Sequence, residues 1–233
     1  MTLVRELSLS MADQLGGPAP STATINDKSR RANNSVAMTA ITWSQLPTGL
    51  WVPNFDVATT SGINVGTDRS LDIRYALTLA AWIKSPSLAT DRGIITKDDT
   101  VGNSRAYYLR FAGHTLNFAI HKSDAASTSI TASTGGNVWD RDIFVFVVAT
   151  YLFVTDGTSR LRLYINGFLS NSSNAGVGPI QSCTTATWIG RRVIAGAENY
   201  YTGQISKWRI WERVFSQAEV ATMFGAERRF YGV

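Results

Sequence analysis

Leu161-Arg162-Leu163-Tyr164-Ile165-Asn166-Gly167-Phe168-Leu169 reads as a β-hairpin. Apolar and polar side chains alternate ahead of the turn, the period of a strand with one buried face. Asn-Gly at the centre favours a type I′ turn, because both central residues need positive φ. Outward from this hairpin the same pattern recurs. Leu7–Met11, Trp51–Val57, Ala76–Lys84, Gly93–Lys97, Ala106–Phe111 and Thr115–His121 are short runs rich in β-branched and aromatic residues. So are Ser127–Ala132, Ile143–Tyr151, Arg160–Ile165, Ala186–Gly190 and Gly203–Trp211. Such runs bounded by turn residues predict strands. Ala112-Gly113-His114 and Thr155-Asp156-Gly157 predict further turns, and the polar stretch Gly16–Ser35 a long loop.

One helix is marked near the end. Ser216 and Glu219 have the spacing of a capping box, Phe215 and Val220 that of a hydrophobic staple. Gly225, after Phe224, predicts the stop.

The chain has 233 residues, 44% of them hydrophobic. That suits one undivided all-β domain over residues 1–233, with a core at about 7–224 and short terminal arms. Trp82, Trp208 or Trp211, and Phe144–Val148 are expected to fill the core. Net charge is +5, and only five of the 22 basic residues are Lys. The arginines are dispersed, pairing as Arg30-Arg31, Arg191-Arg192 and Arg228-Arg229. Dispersal argues against a nucleic-acid stripe and for arginines in protein contacts. Cys183 is the single cysteine, so an intrachain disulfide and a cysteine zinc site are both excluded, and a free buried thiol is expected. No segment has the 18 or more apolar residues of a membrane span, and Met1–Pro20 lacks an apolar run of signal-peptide length.

The order of motifs resembles the laminin-G-like jelly roll of the concanavalin A-like lectin/glucanase superfamily. Asp27-Lys28-Ser29-Arg30-Arg31-Ala32-Asn33-Asn34-Ser35 keeps the Asp, Ser and Asn of that family's Asp-x-Ser-Gly-x-Gly-Asn-x-Gly loop, and Trp43 follows. Arg30, Ala32 and Ser35 replace its glycines. Phe55-Asp56, Ala81-Trp82, Ile94-Ile95-Thr96-Lys97, Trp139 with Val148-Ala149-Thr150-Tyr151, Leu163-Tyr164-Ile165-Asn166-Gly167 and Ile189-Gly190 match later pieces. The closing pattern is matched by Tyr201, Gly203, Ile205, Arg209-Ile210-Trp211, Arg213 and Phe215 to Val220. The resemblance implies an all-β, antiparallel two-sheet jelly-roll sandwich with one short C-terminal helix. Its retaining glycosidases carry Glu-x-Asp-x-x-Glu on one strand. The five Glu here, Glu6, Glu198, Glu212, Glu219 and Glu227, do not stand in that spacing.

His114 and His121 lack a nucleophile elbow and read as ordinary surface histidines. No cofactor is required. The resemblance implies a calcium site at Asp27, Asn33 and Asp56, since hard cations take oxygen ligands; Asp98-Asp99 and Asn103 read as a second acidic loop. Tyr107, Trp139, Asn199, Tyr200 and Tyr201, at strand ends or in loops, are candidate glycan contacts. Asn33 and Asn171 head glycosylation sequons. A non-catalytic module is therefore expected. It is either a virion surface or decoration protein, assembled in a host cytoplasm in contact with other structural proteins or copies of itself, or a secreted glycan-binding module. A hydrolase is the weakest reading.

Overall fold

The structure, a computed structural model, describes residues 6–8, 24–27, 29–86, 92–100, 104–122, 127–132, 142–155, 160–174, 178–194 and 197–233. Its strands in chain order are β1 (Glu6–Ser8), β2 (Ala37–Thr39), β3 (Thr42–Gln45), β4 (Trp51–Phe55), β5 (Gly62–Gly66) and β6 (Ala76–Lys84). They continue as β7 (Arg92–Asp99), β8 (Ser104–Ala112), β9 (Thr115–His121), β10 (Ser127–Ala132), β11 (Val145–Leu152) and β12 (Arg160–Ile165). The last are β13 (Phe168–Ser173), β14 (Thr187–Ile189), β15 (Arg191–Ile194), β16 (Ala197–Tyr200) and β17 (Gly203–Trp211), before helix α1 (Gln217–Glu227).

Two sheets form. The first runs β13-β12-β11-β6-β17-β4-β3, with β1 also on β17. The second runs β10-β9-β8-β7-β14-β5-β2, with the hairpin β15–β16 attached to β7. Described pairings are antiparallel save the bridge of Val193 to Asp99. The Asn166-Gly167 turn has φ of 49° and 86°, the positive pair its type requires.

Strand alternation sorts the residues into two cores instead of the expected one. Val145, Val147 and Ala149 face Leu79, Ala81 and Trp208 between the sheets. Phe144, Phe146 and Val148 point the other way, with Trp82 and Trp211. That outer face is covered by α1 and the residues after it. The Trp82 ring lies 4.2 Å from Tyr231 and 5.8 Å from Phe224.

The capping box is present: Glu219 N donates to Ser216 Oγ at 3.3 Å and Ser216 N to Glu219 Oε2 at 2.8 Å. The helix does not stop at Gly225. It continues to Glu227 and passes into a 3-10 turn over Arg228–Phe230. The side chain of Glu227 accepts from the indole N–H of Trp82 at 2.7 Å, and that bond carries the last turn down onto the sheet.

Candidate functional site

The helix covers only part of the first sheet's outer face. Beyond its cover, one register row crosses four strands. Thr42 on β3 stands opposite Asn54 on β4, Asn54 opposite Gln204 on β17, and Gln204 opposite Lys84 on β6. Strand period puts these on the face of Val52, Ser206 and Trp82, two residues along each strand. The row is polar where the rest of that face is largely apolar. Asn54 Nδ2 donates to Ser44 Oγ at 2.8 Å and Thr42 Oγ1 at 3.3 Å. Gln204 Nε2 donates to Asn54 Oδ1 at 2.7 Å. Lys84 Nζ ends the row 3.3 Å from Asp142 Oδ2.

With Phe55, Asp56, Pro86, Thr202 and Gly203, these residues line an open depression of about 410 Å³, within the range of small-ligand sites. Gln204 Oε1 is buried and has no hydrogen-bond partner among the described residues. An acceptor left so costs about 1–3 kcal/mol. Gly203 shapes one wall. Its φ is +123°, and a Cβ there would lie 2.1 Å from the carbonyl oxygen of Lys84, so only glycine lets β17 approach β6 this way.

The residues picked as glycan contacts divide. Tyr107 is fully buried, its hydroxyl donating to Leu71 O at 3.1 Å. Tyr201 is fully buried too, edge-on to Phe55, its hydroxyl donating to Lys84 O at 3.2 Å. Both are core residues and cannot stack on a sugar. Asn199 and Tyr200 are half-buried on β16. Tyr200 lies 5.8 Å from the Arg191 guanidinium, which covers Trp188 at 3.9 Å and pairs with Glu198. Trp139 lies outside the described residues. The chain after Tyr201 does reach the depression, through Thr202, whose hydroxyl accepts from Arg92 and from Val57 N.

Asp27 and Asn33 meet, but through the Asn33 backbone N–H, and Asp56 is engaged elsewhere. Both carboxylate oxygens of Asp27 already accept from the chain: from Ser29 N, Ser29 Oγ and Asn33 N at 2.7–2.9 Å. Asn33 is buried and its amide donates to Ser70 Oγ, which also makes it a poor glycosylation acceptor; Asn171 is exposed on β13. Asp56 instead caps the 3-10 turn Val57–Thr59 through Ala58 N. A calcium ion needs six to eight oxygens converging, and the donors of these three residues do not fit one. Among the described residues no three His, Cys, Asp or Glu group to hold a metal. Asp98 and Asp99 are no loop; they end β7. His114 is exposed, but His121 is 2% exposed and no surface histidine.

A larger cleft of about 900 Å³ runs between Arg31, Arg69 and Arg74 on one side and Ser182, Cys183 and Thr184 on the other. Two of its carboxylates, Asp68 and Asp72, are braces. Asp68 caps Ser70 N, which holds its carboxyl below the usual range. Asp72 accepts from Ser182 Oγ and Cys183 N. Cys183 is half-buried, and burial pushes its thiol up, away from a reactive thiolate.

Sequence reasoning missed the row. Its signal was an amide or ammonium at the same-face step after an apolar residue: Asn54 after Val52 and Lys84 after Trp82.

Two stacked antiparallel sheets, closed by a C-terminal helix and bearing an amide-lined depression, define a lectin-like sandwich. Residues 57–221 match the sequence profile of the laminin-G group described as the concanavalin A-like lectin/glucanases superfamily, and the chain belongs to that family. No curated protein sequence matches the chain. Among solved structures it is similar to the binding domain of Paraclostridial Mosquitocidal Protein 1, with a TM-score of 0.71, 15% identity, and coverage of 93% of this chain and 53% of that one. It is similar also to the botulinum neurotoxin serotype G binding domain (TM-score 0.66, 15% identity, 87% and 48% covered). A third is the binding domain of botulinum neurotoxin DC, solved in complex with rat synaptotagmin II (0.68, 14%, 94% and 51%). The chain spans about half the length of these structures. At this identity the likeness shows the fold. No helix among the described residues is long and apolar enough to cross a membrane.

Proposed function

We propose that the chain is a non-catalytic binding module that takes an uncharged, polyhydroxylated ligand, a glycan, on the row Thr42–Asn54–Gln204–Lys84. The observation that carries this reading is Gln204 Oε1, buried in the depression without a partner. A ligand hydroxyl would satisfy it. Planar amides suit vicinal hydroxyls, because each offers a donor and an acceptor side by side. The Lys84–Asp142 pair cancels the row's one cation, and the Asp56 carboxylate at the rim already accepts from Ala58 N, which favours a polyol over an anion. The family's lectin character agrees with this reading, as do binding domains of like fold. A shallow site of this kind binds at about millimolar Kd. Isothermal titration with glycans chosen from an array should find such binding, with or without added calcium. The double variant Asn54→Ala, Gln204→Ala should weaken it about tenfold or more, the loss of one to two good hydrogen bonds. An array without a hit, or equal binding by the variant, would overturn the reading.

Weak single sites become effective in many copies, and a virion surface provides them. We place the module there, in contact with structural proteins or with copies of itself. The support is β13, the edge of the first sheet, where Phe168 is 71% and Leu169 43% exposed. Apolar residues on an open edge strand favour pairing with another chain. Light scattering should show concentration-dependent assembly, and Phe168→Lys should reduce it. A monomer at every concentration with no affinity for particles would exclude this setting, and the secreted module would then stand.

A further inference from the structure

The cleft between residues 67–74 and 182–184 has walls held in place by acids. Asp27 orders the loop that brings in Arg31. Its carboxylate accepts from Ser29 and Asn33 N, and Ser29 Oγ in turn accepts from Arg31 N at 3.1 Å. The Asn33 amide ties that loop to Ser70 Oγ at 2.8 Å. Asp68 and Asp72 stand at the two ends of the 3-10 turn Arg69–Leu71. Asp68 accepts from Ser70 N at 2.8 Å. Asp72 reaches across the cleft and accepts from Ser182 Oγ and Cys183 N. Ile180 N donates to Arg74 O at 2.8 Å and adds a second tie between the walls.

Three guanidiniums line the same walls. Arg31, Arg69 and Arg74 face the cleft, and among the described residues none of their side chains makes a hydrogen bond or ion pair. Arg31 and Arg69 are exposed. Arg74 is half-buried, and its Nε is buried with no acceptor among the described residues. Buried donors are met by protein, water or a ligand. The acids of the cleft do not meet this one. Asp68 and Asp72 are taken up in bracing, and Glu212 has a partner already. Formal charge is thus balanced, three carboxylates against three guanidiniums, while the hydrogen bonds are not: guanidiniums only donate, and their acceptors are missing.

We propose that this cleft is a second binding site, which takes one oxyanion of a small acidic ligand on Arg74, with Arg69 and Arg31 beside it. Guanidiniums hold sulfate, phosphate and carboxylate oxygens through charge-assisted hydrogen bonds. The volume, about 900 Å³, lies within the range of small-ligand sites. The bracing carboxylates repel further negative charge, so the ligand carries one acidic group and not a run of them. Beyond that group, the hydroxyls of Ser182 and Thr184 on the facing wall suit a polar body. The cleft shares no lining residue with the row Thr42–Asn54–Gln204–Lys84, so either site can fail without the other.

NMR of the Arg74 Nε–H signal tests this, in sodium sulfate, sodium phosphate and sodium acetate, each against sodium chloride of matched ionic strength. In one of the three the signal should move saturably at millimolar concentrations, and the salt that acts at the lowest concentration names the acidic group. Arg69→Gln, at an exposed position, should raise the midpoint about tenfold, the size of one charge-assisted hydrogen bond. Arg69→Lys, which keeps the charge without the fork, should fall between. An Arg74 signal that moves alike in all four salts, or a midpoint left unchanged by Arg69→Gln, would overturn the proposal.

Discussion

Glu227→Ala should destabilise the domain by about 3–5 kcal/mol, the range for breaking a buried ion pair from one side. Glu227 is 8% exposed and sits where three positions of the first sheet converge. Trp82 Nε1 donates to one carboxylate oxygen at 2.7 Å. Arg209 Nη2 donates to the other, and Lys207 Nζ lies 3.6 Å from it. Alanine would remove the countercharge of two largely buried cations and orphan the indole N–H together. It would also free the last turn of α1, which holds Phe224 and Tyr231 over Trp82. Urea unfolding followed by circular dichroism should show a lower midpoint with little change in slope. Glu227→Gln should fall between, since the amide keeps an acceptor for Trp82 and loses the charge. A Glu227→Ala loss below about 1 kcal/mol, the size of an exposed pair, would show that the helix is held by apolar packing alone.

Asp98→Ala should cost a similar amount, about 3–5 kcal/mol, by leaving Arg105 and Arg192 without their carboxylate. The damage should be uneven. The hairpin β15–β16 meets β7 at one bridge, Val193 to Asp99, and the Asp98–Arg192 pair, the Thr96 hydroxyl and the Arg92 guanidinium on Tyr200 O also hold it. Hydrogen exchange should therefore speed up at Arg191–Tyr200 before it does in β7 or β8. Uniform protection across the second sheet in the variant would refute that order. Asp98→Asn should behave much like alanine, because the amide brings donors towards two guanidiniums that need acceptors.

Much of this architecture was legible in the amino acids. Asn166-Gly167 specified its turn, the Ser216–Glu219 box its helix start, and alternation the ends of β6, β9, β12 and β17 within a residue. Local pattern failed where a distant partner decides. Asp98-Asp99 looked like a loop because adjacent carboxylates rarely sit inside a sheet; Arg192, from a hairpin far along the chain, is what makes the burial tolerable. β2 and β3 went unmarked because their residues are half-buried or exposed and carry little apolar alternation. Tyr107 was misplaced, although it has the parity of Leu109 and Phe111, which face the inter-sheet core. The row was hidden for another reason. Asn54, Gln204 and Lys84 are neighbours only through cross-strand register, and one strand's sequence does not contain the register of the next.

The Trp82 contacts also give the molecule a built-in optical gauge. Of the seven tryptophans, this one has its indole N–H held by a carboxylate and its ring nearly parallel to a tyrosine, 15° apart. Near-ultraviolet dichroism and tyrosine-to-tryptophan energy transfer at this pair depend on how closely the C-terminal segment lies on the sheet. Undocking of that segment would be visible without a label, even while the two-sheet body stayed folded.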